Sequence, residues 1–77
     1  MKEQLQHLVA HAPEWAARRA QYALEITSMY EAGELAESEY QELMRDLVHA
    51  DKFNEEADNL EIKNYLVAAV MIGARLA

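Results

Sequence analysis

The sequence predicts an all-α domain, a three- to four-helix bundle built on an antiparallel helical hairpin, and three observations carry that prediction. From Ala23 to Val48, ALEITSMYEAGELAESEYQELMRDLV, an amphipathic stretch runs into Gly33, turns within a few residues and restarts. Two glycines and one proline in 77 residues are few breakers, which favours long helices over many short strands. Hydrophobic residues make up 52% of the chain, which argues against disorder. At this length residues 1–77 form one domain.

The first element is a short N-terminal helix over 2–11, where Leu5, Leu8 and Val9 fall at i, i+3 and i+4. Pro13 ends it, because proline disfavours helix at Ala12 and suits the first turn of the next helix. The hairpin occupies 13–50. In its first arm Trp15, Tyr22, Ile26 and Met29 make one stripe, and Ala16, Ala20, Ala23 and Tyr30 a neighbouring one that lets another helix approach. Gly33 is placed for the left-handed residue after a helix end, with Leu35 folding back on the last turn. The second arm carries Tyr40, Leu43, Met44, Leu47 and Val48, the cleanest amphipathic pattern in the chain.

A break at Asp51–Asn54 precedes a C-terminal helix over 55–75, capped by Asn54 with Glu55 and Glu56 in its first turn and Phe53 as a hydrophobic staple. From Tyr65 onward almost every position of that helix is apolar. The expected core is Trp15, Tyr22, Ile26, Met29, Tyr40, Leu43, Leu47, Ile62, Leu66, Val70 and Met71.

Charge and composition narrow the function classes. The net charge is −7, and it is uneven. Residues 25–61 hold twelve carboxylates against Arg45 and Lys52, a balance of −10, while 1–24 and 62–77 stand at +1 and +2. Such a surface repels phosphates and anionic head groups, which disfavours direct nucleic-acid and membrane binding. The apolar run Tyr65–Ala74 is too short to span a bilayer, which takes about 20 residues. The N-terminus lacks a signal peptide's apolar core, and there is no cysteine for a disulfide framework or a thiolate metal site. A cytoplasmic protein is the expectation.

From Tyr30 to Val48, YEAGELAESEYQELMRDLV, the chain resembles the SHOCT-type short helical hairpin found in many bacterial proteins. Gly33, Leu35, Glu39, Tyr40, Leu43 and Leu47 occupy the positions of that pattern. The sequence departs from it at Ala36, where the family carries a threonine or serine cap. The resemblance covers a quarter to a third of the chain. It implies an oligomerisation or adaptor piece without catalytic residues.

Several side-chain sets invite chemistry, and each has a plainer reading. His7 and His11 share a helical face at chelating spacing, but HLVAH lacks the glutamate of the metalloprotease motif, and a third ligand would have to come from Glu14, His49 or another chain. Glu25, Glu37, Glu55, Glu56 and His49 suggest a carboxylate-bridged di-metal centre, yet no Glu-x-x-His occurs. Trp15 and Tyr22 with Arg18 and Arg19 could bind a small anion, or be core anchors rimmed by arginine. Ser28 and Ser38 have no neighbouring base, and no glycine-rich phosphate loop is present. No catalytic residue, cofactor or metal site is therefore assigned.

The expected function is a non-enzymatic protein–protein interaction or oligomerisation module that partners itself, another protein, or both. Its interface is expected at Trp15, Tyr22, Tyr65, Leu66, Val67, Val70 and Met71. Its acidic surface comprises Glu31, Glu34, Glu37, Glu39 and Glu42. The alternative is a small acidic inhibitor that mimics nucleic acid on a basic DNA- or RNA-handling protein.

Overall fold

The computed structural model describes residues 2–49, 53, 55 and 57–76. Among these it contains four helices, α1 (Lys2–His11), α2 (Glu14–Glu31), α3 (Glu37–His49) and α4 (Leu60–Leu76), and no strand. Phe53 and Glu55 are also helical, and the Ala57 N–H bonds the Phe53 carbonyl at 3.0 Å to close a turn. No helix among the described residues is long and apolar enough to cross a membrane. The expected breaks at Asp51, Lys52 and Asn54, and the roles of Ala50 and Glu56, lie outside the described residues.

Pro13 separates α1 from α2. It has φ −56° and ψ 157°, and its carbonyl accepts the N–H groups of Ala16 and Ala17 at 3.0 and 2.9 Å. It therefore stands one residue before the first turn of α2 rather than inside it. The contact between α1 and α2 is the most extensive in the molecule, and Lys2 pairs with Glu31 to tie the start of α1 to the end of α2.

The end of α2 forms a paired-bond cap. The Gly33 N–H reaches the Tyr30 carbonyl at 3.0 Å, and the Glu34 N–H reaches Met29 at 2.9 Å. Gly33 sits at φ +80°, where a Cβ is strained, although no atom would lie within 4 Å of one. Gly33→Ala is therefore expected to cost about 1–2 kcal/mol through backbone conformation alone. Gly33→Asn should recover part of that in the same urea titration.

Helix α3 opens on half a capping box. Glu39 Oε1 accepts the Ala36 N–H at 3.0 Å, but Ala36 has no hydroxyl to return a bond to the third residue of the helix. Ala36 is exposed, so a larger side chain meets no neighbour. Ala36→Ser should raise stability by about 1 kcal/mol, read as an increased urea midpoint at unchanged slope.

The C-terminal helix begins at Leu60, not at residue 55. Ala57, Asp58 and Asn59 are non-helical, and Asn59 Oδ1 accepts the Ile62 N–H at 3.1 Å as the N-cap. The adjacent Asp58 is held elsewhere: its carboxylate accepts the Trp15 indole N–H at 3.1 Å.

The core differs from the expected one mainly on α2. The inward stripe is Ala16, Ala20, Ala23 and Thr27, while Tyr22, Met29 and Leu43 are 49%, 40% and 39% exposed. Tyr40, Leu66 and Val70 are buried as expected, and Trp15, Ile26, Leu47, Ile62 and Met71 pack partly buried around them. Helix α2 receives α1, α3 and α4, and backbones come closest over alanine, so the bulky stripe is turned aside. Thr27 is satisfied there, its Oγ1 donating to the Ala23 carbonyl at 2.8 Å. On α4 the small residues Ala69, Gly73 and Ala74 are likewise buried, and Gln41 Nε2 reaches the Ala74 carbonyl at 3.3 Å.

The molecule measures 34 × 24 × 17 Å between Cα extremes. Every helix keeps an outer face, with exposed residues along α1, α2, α3 and α4.

Candidate functional site

Between α1 and α4 lies an open groove of about 320 Å³, lined by His7, Leu8, His11, Ala12, Glu61, Ile62 and Tyr65. The helical spacing of His7 and His11 brings their rings to 4.8 Å between centroids, tilted by 45°. Glu61 and Tyr65 come from the first turns of α4, far along the chain. The groove joins two imidazoles, a carboxylate and a phenol on an apolar floor. No group of three His, Cys, Asp or Glu side chains arranged to hold a metal ion occurs among the described residues. Glu14 pairs with Arg18 at 2.9 Å instead, and His49 is exposed at the end of α3. Glu25, Glu37 and Glu55 are exposed, which leaves no inward carboxylate cluster among them.

The expected interface divides. Leu66 and Val70 are 0% exposed and belong to the chain's own core, so neither is available to a partner. The reason is packing: the small residues beside them let neighbouring helices close over that face. Val67 and Met71 are partly buried against the same core. Trp15 is half-buried, edge-on to Phe53 at 6.1 Å, with its N–H engaged by Asp58. It is a structural anchor rather than part of an anion site. Tyr22 and Tyr65 remain open, 49% and 44% exposed.

Three of the exposed large apolar residues, Tyr22 and Met29 on α2 and Leu43 on α3, form a seam with half-buried Ile26; the sequence places all four in the core, and Tyr22 at the interface as well. Tyr22, half-buried Ile26 and Met29 follow one another at spacings of four and three on α2. Tyr40 stacks on Tyr30 at 4.4 Å and its hydroxyl lies 3.5 Å from Thr27. Further along, Arg19 donates to the Leu47 carbonyl at 3.0 Å. These contacts bracket Leu43 and bring it level with the Tyr22–Ile26 turn. Exposed carboxylates flank it on α3, at Glu39, Glu42 and Asp46, and Glu25 stands beside Ile26 on α2.

All five residues of the expected acidic surface, Glu31, Glu34, Glu37, Glu39 and Glu42, are exposed around the α2–α3 turn. Two have local duties: Glu31 pairs with Lys2 and Glu39 caps Ala36. Glu34, Glu37 and Glu42 add negative potential at the same end of the molecule.

No protein-family model matches the chain, and neither does a curated protein or a solved structure.

Proposed function

We propose that this chain is a non-enzymatic protein-interaction module whose α2–α3 unit, an antiparallel hairpin, docks a cationic amphipathic surface of another protein. The observation that carries the reading is the seam of Tyr22, Ile26, Met29 and Leu43 with its carboxylate rim. Half-exposed aromatic and aliphatic side chains supply the apolar contact that anchors most interfaces. The rim selects sign: a facing lysine or arginine is favoured, and a second copy of the same acidic seam is repelled. The likeness of Tyr30–Val48 to SHOCT-type hairpins supports an adaptor role in the same direction.

The alternative, an acidic inhibitor of a DNA- or RNA-handling protein, is a narrower form of this reading. It uses the carboxylates of Glu34, Glu37 and Glu42 alone. The apolar seam favours the broader form, because phosphate mimicry requires no Tyr22 or Leu43.

Affinity recovery with three baits tests the reading: the unaltered chain, Y22E/L43E, and E34K/E37K/E42K. All substituted residues are exposed, so the helical circular dichroism of each bait should be retained. A docking partner should be lost from both variants. A pure phosphate mimic should lose its partner only on charge reversal, with steep salt dependence. Recovery of the same proteins by all three baits overturns the proposal.

A further inference from the structure

We infer that α4 pairs antiparallel with α4 of a second copy of this chain, across the face made by Glu61, Tyr65, Ala68, Ile72 and Arg75. These positions recur at spacings of four, three, four and three, which is the seam of a two-helix coil. They lie opposite the buried face that holds Leu66, Ala69, Val70 and Gly73. All five are exposed, Tyr65 and Ile72 by 44% and 41%.

The order of charge names the occupant. Glu61 and Arg75 each stand seven residues from Ala68, on opposite sides. About a two-fold axis at Ala68, an antiparallel pair sets Glu61 against the partner's Arg75 twice over, and Tyr65 beside the partner's Ile72. A parallel pair would set each charge against its own kind. The face is therefore complementary to itself in one orientation only, which is the requirement for a symmetric dimer. Ala68 at the crossing lets the two backbones approach closely. The rest of the chain opposes self-association, since its charge is concentrated in residues 25–61, but this face is locally balanced. The seam is only about 21 Å long. It is small beside a standard interface of roughly 800 Å² per partner, which places it in the class of weak, transient contacts. The inference does not depend on the α2–α3 seam, which lies on other helices.

Sedimentation equilibrium from about 1 μM to about 1 mM, with circular dichroism on each variant, tests it. The unaltered chain should show a monomer–dimer equilibrium. Ile72→Glu should weaken it by about tenfold or more without loss of helix. Glu61→Arg alone should weaken it, and E61R/R75E should restore it. The chain has no cysteine, so Ala68→Cys introduces a single thiol at the proposed axis. On oxidation A68C should cross-link to a dimer, whereas S28C, exposed on α2, should not. A chain that stays monomeric throughout, a dimer indifferent to Ile72→Glu, or equal cross-linking of A68C and S28C would overturn the inference.

Discussion

Replacing Leu66 with glutamate is expected to unfold the chain rather than to dissociate an assembly. Leu66 is fully buried, in the same cluster as Met44, Phe53 and Val70. A carboxylate there loses its hydration, a penalty of several kcal/mol. A domain of this size has a total stability of only about 4–12 kcal/mol. Urea titration followed by circular dichroism should therefore show a variant largely unfolded without denaturant, or with its midpoint close to zero. The milder Leu66→Ala should cost about 2–5 kcal/mol and stay cooperative. Ile72→Glu, six residues along on the opposite face, should leave the midpoint almost unchanged. If Leu66→Glu kept its helicity and altered only the sedimentation, the assignment of Leu66 to the interior would be wrong.

The contrast between Leu66 and Ile72 separates what is local in this sequence from what packing decides. The all-helical class was legible because spacing and breakers are local properties. The α2–α3 turn was legible for the same reason: Gly33 alone suits its positive φ, and Glu39 lies within reach of Ala36. Which stripe of a helix faces inward was not legible. On α2 the bulky stripe has the larger transfer energy, yet the alanine stripe is buried, because α2 must receive three other helices closely. On α4 the apolar excess after Tyr65 reads, in sequence, as more than one chain can cover. Ala69, Gly73 and Ala74 resolve that excess, since small residues let neighbours close over Leu66 and Val70. The start of α4 is ambiguous in sequence, because both Asn54 and Asn59 are residues suited to a helix cap. What favours Asn59 is distant in sequence: Asp58 is held by Trp15, forty-three positions away. The groove that joins Glu61 to His7 and His11 was invisible for the same reason, whereas the histidine pair itself was evident from its spacing.

Phe53→Ala is expected to be among the most destabilising single truncations in the molecule. Sequence reasoning gave Phe53 only the part of a staple before a helix. In the fold its ring is completely buried and joins segments that share no local connection. Trp15 of α2 meets it edge-on at 6.1 Å, the Arg19 guanidinium lies 5.3 Å from its centroid, and the Lys63 ammonium of α4 lies 5.9 Å away. Arg19 also holds the Leu47 carbonyl at the end of α3, so three helices converge on one ring. Truncation removes the buried aromatic surface and leaves a cavity, at a cost of about 3–5 kcal/mol. It also removes two cation–ring attractions, each worth roughly 0.5–1 kcal/mol at partly exposed sites. Phe53→Leu separates these contributions, because leucine restores most of the volume but none of the ring electrostatics. It should fall between the unaltered chain and F53A. The part that leucine leaves unrecovered should shrink when Arg19 is already methionine, in a double-mutant cycle measured by urea unfolding. A loss below about 1 kcal/mol for F53A would mean that the segment after α3 contributes little to the core, since buried phenylalanine truncations otherwise cost several times that. With Phe53 removed, α2 loses the ring that Trp15 and Arg19 meet, and α4 the ring that Lys63 meets.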